Sequence, residues 1–301
     1  MTYKELWQPL TSIYDEYEAR AVAKMVLEHY GLTMSDIVLG KEQTLPVEEL
    51  HAIRKRLLSG EPVQYILGLA EFGPHVFHVA PGVLIPRPET YELCQWIVGS
   101  EKRKVISDKY SILDIGTGSG CIACTLAAEM PEAEVTAWDI SAEALEVARE
   151  NAKRTNVNVS FEQVDVLHLT SDILHQTSGA FDFMVSNPPY ICNKEREMME
   201  ANVLEHEPHT ALFVPDDDPL LFYRAIAKYG QSALKAGGWL YFEINPLYAE
   251  PLCQMLCAMR FCPIDLSRLN HDTQEPARLA LLPVTRSIPP RTSALLATLV
   301  P

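Results

Sequence analysis

The chain has 301 residues, 48% of them apolar, and a formal net charge of −15. That length holds one large or two ordinary domains, each able to bury a core. The acidic balance argues against non-specific nucleic-acid binding, which needs basic surface; the start, Met-Thr-Tyr-Lys-Glu-Leu, has no secretory h-region, and no run of about 18 apolar residues offers a membrane span. Seven scattered cysteines build no disulfide framework, so a cytoplasmic location is expected.

Taken in order, the chain begins helically. Ala19, Val22, Ala23, Val26, Leu27 and Tyr30 recur at helical spacing, and Gly31 is a natural stop. A second helix is predicted over 47–58, with Leu50, Ile53 and Leu57 inward and Gly60-Glu61-Pro62 ending it. These predict a small helical domain over residues 1–71, a packing or partner-docking unit without a catalytic cluster of its own. From Phe72 the texture changes. Val76, Phe77 and Val79, then Val83, Leu84 and Ile85, are strand-like, with Pro81-Gly82 as a turn between them. This predicts a β-hairpin linker over 72–90. It leads into Ile85-Pro86-Arg87-Pro88-Glu89-Thr90, where Thr90 is placed to cap a helix over 91–98. Arg87, held between two prolines, is either a linker charge or a placed site residue.

From Ser111 strands and helices alternate, which predicts a parallel sheet covered on both faces and a domain over 91–284. The predicted strands are 111–115, 134–140, 159–165, 181–187 and 238–244, followed by an antiparallel pair over 261–269 and 277–284. Ser141 is the N-cap of a helix over 142–154, with Leu145, Ala148 and Ala152 on one face. Residues 188–217 read as a long charged loop, functional or mobile. Cys121-Ile-Ala-Cys124 reads as helix packing or as a redox or metal pair; no second pair accompanies it, so no metal site is expected. The tail over 285–301 is expected to be loosely held, with no function assigned.

The first strand ends in Asp114-Ile-Gly116-Thr117-Gly118-Ser119-Gly120. The glycines let the backbone turn sharply and let a ligand lie against it. The spacing is not that of the dinucleotide fingerprint, and an acid opens the loop. Asp114 repels a pyrophosphate but suits a cationic or ammonium-bearing ligand. Asp139, ending the second strand, can accept both hydroxyls of a ribose. Asp165 ends the third strand, placed to meet an adenine edge, with Val166 beside the ring. The fourth strand, Phe-Asp-Phe-Met-Val-Ser, runs into Asn187-Pro188-Pro189-Tyr190. Two prolines cannot continue a strand, so the Asn amide and the Tyr ring stay at its carboxyl end, where open α/β sheets bind ligands.

These residues resemble the class I S-adenosylmethionine-dependent methyltransferases. The resemblance implies a Rossmann-like α/β sheet and S-adenosylmethionine as methyl donor, with S-adenosylhomocysteine as product. Asn-Pro-Pro-Tyr occurs in methyltransferases that modify a planar nitrogen conjugated to a π-system. Such a nitrogen is a weak nucleophile. Asn187 Oδ1 and the Pro188 carbonyl can accept its two N–H groups, and Tyr190 supplies a wall. Two acceptor classes fit: adenine or cytosine amino groups in DNA, and a glutamine side-chain amide in a protein. A DNA enzyme must flip its base and hold phosphates. The charge of −15 and the lack of a basic module favour the glutamine.

A longer series narrows this further: Gly60-Glu-Pro-Val-Gln64-Tyr65-Ile-Leu-Gly68, Glu71-Phe72, Leu84-Ile-Pro-Arg-Pro-Glu-Thr90, the glycine loop, Asn187-Pro-Pro-Tyr190, and Glu207-Pro-His-Thr-Ala-Leu212. In this order they resemble the release factor glutamine methyltransferases over residues 15–283. That resemblance implies a helical domain that docks the release factor, a hairpin hinge and a seven-stranded catalytic domain. It implies methylation of N5 of the glutamine in the Gly-Gly-Gln loop of class I peptide-chain release factors, without direct nucleic-acid or membrane contact, by a monomer. Carried onto this chain, residues 116–120, Asp139, Val166 and Asn187 bind the cofactor, and Asn187, Pro188, Pro189 and Tyr190 hold the glutamine. Related enzymes methylate a glutamine in a ribosomal protein, and their difference lies in the amino-terminal domain. The chain departs from the family at Tyr91, where another acid is usual, in Asn270–Arg278, and in Pro215-Asp-Asp-Asp218, which replaces a Gly-rich turn.

Overall fold

The computed structural model describes residues 2–39, 41, 46–101, 109–267 and 277–283. The amino-terminal helices form where apolar residues recur every three or four positions. The Glu16–His29 helix starts at Asp15, whose carboxylate accepts the Glu18 amide, and it buries Ala19, Val22, Ala23, Val26 and Leu27. The Val47–Leu58 helix buries Leu50, Ile53 and Leu57. Short helices at Tyr3–Trp7, Met34–Val38 and Val63–Leu67 add Leu6, Ile37 and Val63 to the same core.

The hairpin lies earlier than its sequence suggests. Strand β1 (Leu69–Phe72) pairs antiparallel with β2 (His75–His78), and the turn is Gly73-Pro74 rather than Pro81-Gly82. The Tyr91 ring sits edge-on to Phe72 at 5.6 Å and leaves no room for a Cβ at Gly73. Tyr91 is therefore a packing residue. Residues 79–87 form no strand. Side chains satisfy their backbone instead: the Tyr65 hydroxyl donates to the Val83 carbonyl at 2.6 Å, and the Glu207 carboxylate accepts the Ile85 amide at 3.1 Å. Thr90 does not cap the next helix. That helix, Pro88–Glu101, begins before it.

The main sheet is built on β3 (Tyr110–Ile115), β4 (Ala133–Asp139), β5 (Val159–Gln163) and β6 (Phe181–Ser186). Two further strands, β7 (Ile191–Cys192) and β8 (Phe213–Val214), pair with each other outside it. The sheet is completed by β9 (Leu234–Ile244), β10 (Phe261–Ser267) and β11 (Ala277–Pro283). Its order is β10-β11-β9-β6-β3-β4-β5. Strands β9, β6, β3, β4 and β5 run parallel, and β11 is antiparallel to both β9 and β10. Strand β5 stops at Gln163, short of Asp165, and the last bond of its ladder with β4 runs from the Val164 amide to the Asp139 carbonyl at 2.9 Å. Helices cover both faces. Leu93, Ile97, Ile122, Leu126 and Ala152 pack on one, and Tyr223, Ile226, Leu252 and Leu256 on the other.

Residues 188–217 are not an unstructured loop. Strands β7 and β8 bracket a 3-10 helix, Asn193–Met198, and helices Ala201–His206 and His209–Leu212. The acidic Pro215-Asp-Asp-Asp218 stretch has work within the fold. Asp216 accepts the Lys194 amide at 2.9 Å, and Asp218 binds both terminal nitrogens of Arg224. Residues 270–276 and the tail 285–301 lie outside the described residues. Among the described residues no helix is long and apolar enough to cross a membrane, and no group of three or more His, Cys, Asp or Glu is placed to hold a metal ion.

Candidate active site

The direction of the chain reverses its order across the sheet between β3 and β6: β4 and β5 lie on one side of β3, and β6 on the other. Such a switch point opens a crevice at the carboxyl ends of the strands. In the parallel β3–β6 register Ile115 stands opposite Ser186, and the Ser186 hydroxyl donates to the Ile115 carbonyl at 2.6 Å. The residues that follow, Gly116 and Asn187, therefore leave adjacent strands side by side.

The glycine loop is held from below and from one side. Asp114 is fully buried. Its Oδ2 accepts the Thr117 hydroxyl at 2.7 Å, while Oδ1 makes no hydrogen bond of normal geometry. Burial pushes this carboxyl up to about 7, against the Thr117 hydroxyl and the nearby Ala123 amide. The Gly118 amide donates to Asp139 Oδ2 at 2.8 Å, and the Ser141 amide donates to Oδ1 at 2.9 Å. Burial raises the Asp139 carboxyl too, opposed by these amides. Gly116 and Gly118 have positive φ and nothing within 4 Å of where a Cβ would stand, so the loop presents bare backbone to open space. Gly120 differs: a Cβ there would meet the Ala148 Cβ at 2.9 Å. Its place is packing of the loop on the Ala142–Arg154 helix. Ser119 is buried, and its carbonyl accepts from Asn151 at 2.9 Å.

Asp165 sits just past β5. Its Oδ1 accepts the Leu167 amide at 2.8 Å, and Oδ2 meets His168 Nδ1 at 2.7 Å. Burial pushes this carboxyl up, but those bonds outweigh it and hold it below its ordinary value. Val166 is partly buried against the core. Cys121 and Cys124 are buried free thiols in the Cys121–Glu129 helix, each pushed up to about 12 by burial. Buried on their helix, both side chains take part in packing.

At the end of β6, Asn187 Nδ2 donates to Thr90 Oγ1 at 3.3 Å. Thr90 in turn donates to Glu243 Oε2 at 2.7 Å, and the Tyr190 hydroxyl donates to Glu243 Oε1 at 3.1 Å. The Tyr190 carbonyl accepts from Asn245 at 3.2 Å. Burial, reinforced by the Glu243 charge, pushes the Tyr190 phenol well up, so it stays a neutral donor. Arg87 lies close enough for its charge to act on the Tyr190 phenol. Its guanidinium pairs with Glu207 at 2.5 Å and bonds its own loop at the Ile85 carbonyl. Glu207 is almost fully buried, so Arg87 pins the 79–87 segment to the helices that follow Asn-Pro-Pro-Tyr.

Sequence reasoning missed Glu243, Asn245 and Asn151. Glu243 had a signal, a lone acid in the apolar run Trp239-Leu-Tyr-Phe-Glu-Ile244. Asn151 is fully buried on the inward face of its helix; it bonds the backbone of His78 both ways, at 2.6 and 2.8 Å, and so ties the hairpin to the glycine loop.

Comparison with known proteins bears on this arrangement. Residues 102–212 match the family model "Methyltransferase small domain", and residues 9–68 match "PrmC N-terminal domain". The release factor glutamine methyltransferase of Bacteroides thetaiotaomicron is 47% identical over 253 residues, 83% of this chain and 88% of that protein. The enzyme of the same name from Flavobacterium psychrophilum is 42% identical over 254 residues, 83% of this chain and 87% of that one. Among solved structures, the hMettl16 catalytic domain in complex with MAT2A 3'UTR hairpin 6 shares the fold, with a TM-score of 0.52 at 17% identity, covering 71% of this chain and 77% of that one. Similarity of this extent to the first two, over most of both chains, makes the protein a member of the release factor glutamine methyltransferase family, and an enzyme.

Proposed function

We propose that this chain transfers a methyl group from S-adenosylmethionine to N5 of the glutamine in the Gly-Gly-Gln loop of class I peptide-chain release factors. The observation that carries the reading is the polarity of Asn187: its amide nitrogen is spent on Thr90, so Oδ1 is left to accept an N–H from an incoming amide. The residues present fit the methyl donor. The bare backbone at Gly116 and Gly118 leaves the space a side chain would fill. The carboxylates around it, Asp114 and Asp139, are acceptors that suit an ammonium group and ribose hydroxyls and repel a pyrophosphate. Asp165 and Val166 would line the adenine end. The sulfonium supplies an activated methyl group.

The protein's own part is positioning. An amide nitrogen is a weak nucleophile because its lone pair is delocalised. Asn187 Oδ1 and the Pro188 carbonyl accept its two N–H groups and aim the lone-pair direction at the methyl carbon. Neither Pro188 nor Pro189 brings an N–H to compete. Tyr190 walls the site and excludes water. Alignment of this kind is worth up to roughly 7–11 kcal/mol in favourable intramolecular reactions. No general base is needed, since the methylated nitrogen loses its proton to water afterwards. In this reading the helices of residues 1–71 dock the release factor, the hairpin joins them to the catalytic domain, and a monomer works in the cytoplasm without binding nucleic acid.

The test is methyl transfer from labelled S-adenosylmethionine to purified release factor, with and without its Gly-Gly-Gln glutamine replaced. Label that depends on that glutamine is the expected result. Bound cofactor without label would overturn the substrate assignment. Asn187→Ala should abolish transfer and weaken cofactor binding less; full activity in that variant would sink the positioning role.

A further inference from the structure

Strand β9 carries a buried acid within an apolar stretch of its own sequence. Glu243 is 1% exposed, between Phe242 and Ile244. A carboxylate in such a place is costly unless its oxygens are hydrogen-bonded. Both are, and each partner belongs to the site: the Thr90 hydroxyl on Oε2 and the Tyr190 hydroxyl on Oε1. The register explains the placement. Phe242 stands opposite Ser186 in the parallel β6–β9 pair, so Glu243 lies level with Asn187 at the carboxyl end of the sheet. The Tyr223 hydroxyl, donating to the Glu243 carbonyl at 3.1 Å, fixes the backbone there.

The chemistry of these groups leaves one arrangement. A hydroxyl has a single hydrogen. Thr90 spends its hydrogen on Glu243, so toward Asn187 the Thr90 oxygen can only accept. The group of Asn187 that faces it must then be the amide nitrogen, and Oδ1 must face the other way. A carboxylate that accepts at both oxygens thus sets the direction of an amide two hydrogen bonds away. We infer that Glu243 is a positioning residue of the transfer reaction, acting through Thr90 to hold the Asn187 amide with its oxygen toward the acceptor, and directly to hold the Tyr190 ring. The inference rests on the proposed role of Asn187 Oδ1. Glu243 touches neither substrate nor cofactor and exchanges no proton.

The experiment measures kcat and KM for release-factor methylation at saturating S-adenosylmethionine, with cofactor affinity from calorimetry, in Thr90→Val, Thr90→Ser, Glu243→Gln and the double variant Thr90→Val with Glu243→Gln. Thr90→Val keeps the shape and removes the relay hydroxyl. Glu243→Gln puts a donor where an acceptor stood, which reverses one arm. Each should lower kcat by about tenfold to a hundredfold, the scale of one misdirected buried hydrogen bond. KM and cofactor affinity should stay within about threefold, a split that a general loss of structure does not give. Thr90→Ser, which keeps the hydroxyl, should recover most of the rate lost in Thr90→Val. The double variant should be no slower than the slower single, because both act through one chain of bonds. If Glu243→Gln fails to fold, Thr90→Val and Thr90→Ser decide. Parental kcat in Thr90→Val, or costs that multiply in the double variant, would overturn the relay while leaving the function in place. A parent enzyme that labels no release factor would overturn the function and the relay with it.

Discussion

Two glycines two positions apart in one loop are expected to fail in opposite ways. In Gly120→Ala the new Cβ meets the Ala148 Cβ at 2.9 Å and its Cα at 3.1 Å, with φ at +79°. Neither contact is the end of a flexible side chain; both belong to the middle of the Ala142–Arg154 helix, which cannot shift without moving Asn151 and the hairpin it holds. Left-handed backbone costs about 1–2 kcal/mol for a residue with a Cβ, and overpacking costs about 1–3 kcal/mol more, so the sum is about 2–5 kcal/mol. In a chain of this size that lowers Tm by something on the order of 10 °C. In Gly118→Ala, φ is +54° and nothing lies within 4 Å of the new atom. Only the backbone term remains, about 1–2 kcal/mol, but the methyl group projects where the cofactor would lie. Thermal melts without cofactor and calorimetric titration with S-adenosylmethionine separate the two. Gly120→Ala should melt early and, where folded, bind close to normally. Gly118→Ala should melt near the parent and bind at least tenfold more weakly, as one blocked close contact implies. A Gly120→Ala protein with parental Tm, or a Gly118→Ala protein with parental affinity, would refute the division of labour.

Other expectations follow from neighbouring groups. Asp139→Ala removes a carboxylate that also holds the Gly118 amide, so cofactor affinity should fall about tenfold to a hundredfold; an unchanged dissociation constant would refute its role in the loop. Arg87→Ala leaves the buried Glu207 carboxylate without its cation and should cost about 2–4 kcal/mol in urea unfolding, with part regained in Arg87→Lys. A loss below about 0.5 kcal/mol would mark the pair as an ordinary surface contact. The Asp114 carboxyl, raised to about 7 from 3.8, binds a proton in the folded chain that the unfolded chain has released. Its contribution to stability is whole below about pH 3.8 and is lost as pH rises through about 7. Asp114→Asn cannot titrate, so its Tm relative to the parent should climb between about pH 4 and pH 7.5; a difference that is flat with pH would rule out the raised value.

The parts of the fold legible in the sequence are those fixed by local rules. Largely apolar runs in β3 and β6 and an alternating one in β4, ending in an acid, a glycine or Asn-Pro-Pro, mark these strands within a residue or two, because a strand of an open α/β sheet stops where its ligand crevice begins. The Ala142–Arg154 helix is equally local, with its Ser141 cap and one apolar face. The position of the hairpin is set by tertiary contacts. Pro81-Gly82 does turn, with the Val83 amide on the Ala80 carbonyl at 3.3 Å, but the backbone beyond it is claimed by Tyr65 and Glu207 from outside, so the strands pair across Gly73-Pro74 instead, under Tyr91. The 188–217 segment has no strand signal in its sequence because its strands are two residues long, below any periodicity, and they form only by pairing across about twenty positions.

The site divides along the same line. Its residue types were legible, since Asp114, Asp139 and Asn187 each close a strand. Their hydrogen-bond directions were not, because direction is set by partners far along the chain: Thr90 lies 97 positions before Asn187, and Glu243 lies 53 beyond Tyr190. An Asn amide is nearly symmetric in shape, and its two ends differ only in which group donates. Placing Asn187 at the end of β6 therefore fixes where the amide sits and leaves its direction undecided. The direction is supplied by an acid buried on the next strand, which accepts at both oxygens and obliges every hydroxyl between itself and the site to point one way.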